Sequence, residues 1–128
     1  MLLLRKLLLL LAVAGVACCH LSCGNVTSAF EPAAIELGVK DMDPPYILST
    51  NTQYFLTVTV RNNLGSDDTD RYYNTVIWAT TPTGVASVRY GSGFGWMLET
   101  GPVPTSCTVS AALNSHRDVK SSFTITVQ

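Results

Sequence analysis

The chain has 128 residues, of which 13% are charged, with eight Lys and Arg against nine Asp and Glu and a formal net charge of −1. Once Arg5 and Lys6 are set aside with the apolar N-terminus, six bases face nine acids, so no basic surface is expected that would neutralise a nucleic-acid backbone. Beyond that N-terminus the length suits one domain of about 100 residues, enough to bury roughly 60 to 70% of its unfolded surface.

Arg5 and Lys6 precede Leu7 to Ala17, LLLLLAVAGVA, an unbroken apolar run. The run is well short of the about 20 residues that a spanning helix needs, and the pattern predicts a removable export signal over residues 1–17. Gly15-Val16-Ala17 puts small residues ahead of Cys18, and a cysteine directly after such a site resembles the lipobox of bacterial lipoproteins. That resemblance implies cleavage before Cys18 and a lipid on its sulfur, anchoring the protein to a membrane. Gly15 departs from the aliphatic residue usual at its position, and Cys19 and Cys23 are alternative acceptors. Ordinary secretion stays open, with these cysteines as disulfide partners or free thiols. Residues 18–33 lack periodicity and read as a tether, and the domain is expected over residues 34–128.

Ile35, Leu37 and Val39 alternate with Glu36, Gly38 and Lys40, which predicts a first strand that Asp43-Pro44-Pro45 stops. Tyr54 to Val60, YFLTVTV, is the clearest strand, with Tyr54, Leu56, Val58 and Val60 on one face. After the acidic loop Asn62 to Asp70, Thr75 to Ala79 forms a strand in which Trp78, on the same face as Val76, is expected to be the large buried anchor. Val85, Val88 and Tyr90 predict a short strand. Gly91 to Gly95 is a turn into Trp96 to Glu99, where an exposed Trp96 would favour a binding role and a buried one a scaffold role. Thr105 to Leu113 places Cys107, Val109, Ala111 and Leu113 on one face, and Ser122 to Gln128 closes with Phe123, Ile125 and Val127 inward. No stretch predicts a helix of useful length. About seven short strands at even spacing predict an all-β fold, a two-sheet antiparallel sandwich.

Several of these stretches, in this order, resemble the bacterial immunoglobulin-like domain, group 2, of invasin- and intimin-type surface proteins. The matching pieces are FLTVTV at Phe55 to Val60, VIW at Val76 to Trp78, VASV at Val85 to Val88, the Thr100-Gly101 step, SCTVSA at Ser106 to Ala111 and FTITV at Phe123 to Val127. The turn at Gly91 to Gly95 is longer and more aromatic than the family's, and Pro102 to Thr105 stands where a Gly-rich step is usual. The resemblance implies an immunoglobulin-like sandwich that works as a rigid spacer or an adhesive module outside the cytoplasm.

His20 lies beside the expected cleavage site and His116 lies in a turn, neither paired by motif to a nucleophile, so catalysis is not expected and no cofactor is implied. Asp67, Asp68 and Asp70 form only a weak calcium candidate; their spacing is not that of an EF-hand, and they read as a solvated loop that keeps a sheet end soluble, with no metal expected. Tyr90, Phe94 and Trp96 are candidate ligand contacts, an aromatic patch for a protein or glycan. Cys107 falls on the strand that bears the second sulfur of the inter-sheet disulfide in antibody domains, but the partner strand Tyr54 to Val60 has no cysteine, so a buried free thiol is expected. The sequence therefore predicts a non-catalytic, lipid-anchored envelope module acting in structural presentation or adhesion. The alternative is a soluble secreted protein that binds through the Tyr90 to Trp96 loop.

Overall fold

Alternation along each strand decides which side chains meet. In β3 (Gln53–Asn62), Leu56, Val58 and Val60 are buried while Phe55 and Thr57 face outward, as expected of a strand with one covered face. The same period governs β7 (Ser106–Leu113), where Cys107, Val109, Ala111 and Leu113 are buried, and β8 (Lys120–Val127), where Ile125 and Val127 are. The computed structural model describes residues 30–128, with Pro32–Gln128 as one unit. The remaining strands are β1 (Pro32–Val39), β2 (Tyr46–Leu48), β4 (Val76–Thr81), β5 (Ala86–Gly91) and β6 (Gly95–Thr100). Between β3 and β4 lie a one-turn helix, α1 (Thr69–Tyr72), and a 3-10 turn, Tyr73–Thr75.

The strands form two four-stranded sheets, in the orders β1-β3-β6-β5 and β2-β8-β7-β4. The architecture is the expected all-β sandwich, built from eight strands. All pairings are antiparallel except β2 with β8, which run parallel from Tyr46↔Ile125 to Leu48↔Val127. The change of sheet between β1 and β2 follows Asp43-Pro44-Pro45, where two prolines without amide hydrogens cannot continue the β1–β3 ladder.

Leu48, Leu98, Val109, Ile125 and Val127 fill one part of the core, and Ile35, Val60, Val76 and Leu113 fill the other. Trp78 and Trp96 pack against both parts. This changes the expectation for Trp78. Trp78 is only partly buried because β4 is an edge strand of its sheet, and Trp96 is partly buried as well, so the two rings are alike in exposure. Trp96 is held by Tyr73: its indole N–H donates to the Tyr73 carbonyl oxygen at 3.1 Å, and its backbone N–H to the Tyr73 hydroxyl at 3.3 Å. Gly95, at φ +82°, allows that hydroxyl to approach where a Cβ would block it.

The Thr100-Gly101 step acquires a physical reason. The buried Thr100 hydroxyl donates to the Ser49 carbonyl oxygen at 2.6 Å and accepts from the Thr52 amide at 3.0 Å, tying the β2–β3 loop to β6. Gly101 donates its amide to the Val85 carbonyl oxygen at 2.8 Å, and a Cβ at Gly101 would stand 2.9 Å from the Gly84 carbonyl oxygen.

Candidate functional site

The register of β5, β6 and β3 sorts the candidate aromatic residues onto two faces. Tyr90 pairs with Trp96, and their rings meet edge to face with centroids 5.2 Å apart, on the side of the sheet that faces the core. Tyr73 packs against both. Phe94 leaves the turn on the opposite side and stacks on Phe55, with ring centroids 6.4 Å apart and planes 25° apart. The structure therefore joins Tyr90 to Trp96 but separates Phe94 from them. Phe94 is 70% exposed and Phe55 44%.

Beneath the Phe55–Phe94 pair lies Met97, directly opposite Phe55 on one side and Arg89 on the other. Met97 is buried although it points to the outer face, because it lies across Gly91; a Cβ at Gly91 would come within 2.8 Å of its terminal methyl. Beside this apolar floor a single carboxylate oxygen organises three side chains. Glu99 Oε1 accepts from Gln53 Nε2 at 2.6 Å and from Arg89 Nε at 2.7 Å. The Arg89 hydrogen bond, with the Gln53 bond adding to it, holds the Glu99 carboxyl below its ordinary range, so it is ionised at neutral pH. Lys40 Nζ sits 6.0 Å from the centre of the Phe55 ring. Gln53, Phe55, Arg89, Phe94 and Met97 thus line a shallow depression on the outer face of the first sheet.

Phe55 was visible as an outward position of the clearest strand. Its meeting with Phe94 depends on the β3–β6 register and on the direction of the turn, neither of which a linear pattern shows.

Within the acidic loop Asp67 spends one carboxylate oxygen internally, while Asp68 Oδ2 is buried without a hydrogen-bond partner among the described residues. Asp67 Oδ1 accepts from the Thr69 amide at 2.9 Å and from the Thr69 hydroxyl at 2.5 Å, and these bonds hold its carboxyl below the usual range. Thr69 Oγ1 in turn accepts from the Val60 amide at 2.9 Å, so the loop is stitched to β3. Asp68 Oδ2 is 3.8 Å from Arg71 Nη1. Asn62 is buried with its side-chain oxygen accepting from the amides of Leu64 and Ser66. Among the described residues, no three of His, Cys, Asp and Glu come together in a way that would hold a metal ion.

Cys107 is 2% exposed on β7, facing the core, and it is a free thiol. Burial pushes its pKa up, so it is a small hydrophobe rather than a nucleophile. The expected signal over residues 1–17 and the candidate lipid acceptors Cys18, Cys19 and Cys23 lie outside the described residues. Among the described residues no helix is long and apolar enough to cross a membrane. No protein-family model and no curated protein matches this sequence.

Proposed function

We propose that the chain is an exported, non-catalytic immunoglobulin-like module of the bacterial group-2 kind, held at an envelope membrane by a lipid on Cys18. Its sandwich acts there in structural presentation or adhesion. One observation supports this reading above others: the stretches that carry the family resemblance coincide with the elements that close the sandwich. Phe55 to Val60 lies in β3, Val76 to Trp78 begins β4, Ser106 to Ala111 lies in β7 and Phe123 to Val127 ends β8. The Thr100-Gly101 step sits where the Gly101 amide bonds the Val85 carbonyl oxygen and a Cβ would stand 2.9 Å from the Gly84 carbonyl oxygen.

The N-terminal half of the proposal rests on the sequence. Its test is the mass of the mature N-terminus together with fractionation. An acylated chain beginning at Cys18 is expected, and Cys18→Ser is expected to move the protein from the detergent phase to the aqueous phase. Unchanged partitioning would remove the assignment to Cys18.

A second reading, a soluble secreted binding protein, is favoured by the exposure of Phe94. The same mass measurement separates the two, since a free N-terminus without acyl chains belongs to the second.

A further inference from the structure

We infer that the outer face of the first sheet is a saccharide-binding platform, with Phe55 and Phe94 stacking on the C–H face of a sugar ring and Gln53, Arg89 and Glu99 bonding its hydroxyls. The inference stands whether the chain is anchored or free.

The apolar half of the argument is the exposed, nearly parallel pair Phe55 and Phe94 above Met97, an aromatic surface that the sandwich itself does not use. The polar half is the shared oxygen of Glu99. Because Oε1 alone accepts from both Gln53 and Arg89, the Gln53 carbonyl oxygen, the second Glu99 oxygen and the terminal guanidinium nitrogens keep their capacity for a ligand. The three groups are nevertheless fixed by those two bonds, so little side-chain freedom remains to be lost on binding.

This combination selects among partners. A purely apolar partner would strip water from Glu99, Arg89 and Gln53 and return no hydrogen bonds. An extended peptide gains its affinity from main-chain pairing at a sheet edge. Here β3 and β6 are interior strands whose main-chain groups are committed to their neighbours. Across the face of these two strands only side chains are offered, rings beside donors and acceptors. A pyranose has the complementary form, an apolar C–H face rimmed by hydroxyls that donate and accept.

The test is affinity electrophoresis of the full chain in native gels cast with laminarin, xylan or glucomannan, together with calorimetric titration by chitohexaose. Binding to at least one probe is expected. Phe55→Ala and Phe94→Ala should each weaken it at least about fivefold, the scale of one lost aromatic stack. Arg89→Ala should also weaken it, and Tyr90→Ala, on the other side of the sheet, should leave it unchanged. Phe94 lies on an exposed turn, so Phe94→Ala is expected to keep the wild-type melting temperature and report binding alone. Absence of binding to every probe would overturn the inference, as would a Tyr90→Ala loss equal to that of Phe94→Ala. Self-association abolished by Phe94→Ala, with no sugar bound, would assign the face to a second copy of the chain and overturn it equally.

Discussion

Trp78 and Trp96 meet across the sandwich, one from β4 and one from β6, with ring centroids 5.8 Å apart and planes tilted by 53°. They touch both parts of the core, so each ring joins the two sheets and the two halves of the interior at once. Trp78→Ala and Trp96→Ala are each expected to cost about 3 to 5 kcal/mol. Because each truncation opens the same space, the double variant should cost less than the sum, by about 0.5 to 3 kcal/mol. The two phenylalanine variants differ further. The Trp78 indole N–H is buried without a partner among the described residues, whereas that of Trp96 donates to Tyr73. Trp78→Phe should therefore be the milder change. Urea midpoints with the slope monitored give all these values, and strict additivity of the alanine variants would show that the rings do not share a cavity.

Gly101 is a position where one added methyl group meets backbone that cannot turn away. The new Cβ of Gly101→Ala would stand 2.9 Å from a backbone oxygen, at Gly84, rather than from a side chain that can turn away. Destabilisation of about 1 to 3 kcal/mol is expected. Gly93→Ala is the useful contrast, since space around Gly93 is open and only its φ of +80° resists a side chain. Equal melting temperatures for Gly101→Ala and wild type would refute the close approach.

The polar group around Glu99 makes stability depend on acidity. Its carboxyl is held below the ordinary value of 4.5, chiefly by Arg89. The folded state therefore holds the proton less tightly than the unfolded state does. The resulting stabilisation is complete above pH 4.5 and is lost as pH falls through the lower folded value. Glu99→Gln should be less stable than wild type near neutral pH, with the gap closing on acidification below 4.5. Asp67 shifts in the same direction from 3.8 and remains in both proteins, so the difference between them isolates Glu99. Denaturant midpoints at pH 7 and pH 3 check this, and a gap of constant size would show that Glu99 gains nothing from Arg89.

Where one face of a strand is covered, its inner residues were legible from the sequence. Leu56, Val58 and Val60, or Val109, Ala111 and Leu113, announce themselves by strict alternation, and the sandwich follows from enough such strands. Tyr46 to Leu48 escaped notice because three residues contain barely one period, and their burial comes from pairing with β8, about eighty residues away. The surroundings of Trp96 stayed open for a related reason. Its flanking glycines suggest exposure, but Tyr73, on a turn between β3 and β4, reaches across to cover it. The candidate platform was half legible: Phe55 was visibly outward, while the partners that give it meaning come from β5, β6 and the turn between them.

The short parallel pairing of β2 with β8 has a mechanical consequence. The Gln128 amide donates to the Leu48 carbonyl oxygen at 2.8 Å and the Thr50 amide to the Gln128 carbonyl oxygen at 3.2 Å, extending that ladder to the C-terminal residue. Tension applied between residues ahead of Tyr46 and residue 128 draws two parallel strands in opposite directions along their own axes. The ladder then carries the load in shear, with its hydrogen bonds strained together, whereas a hairpin pulled apart from its open end would lose them singly. A module tethered ahead of β1 and tugged at residue 128 would thus resist at this seam as well as at the β1–β3 ladder through which the pull enters. In single-molecule pulling, Thr50→Pro, which deletes the amide that donates to the Gln128 carbonyl oxygen, should lower the rupture force by more than its effect on chemical stability would suggest.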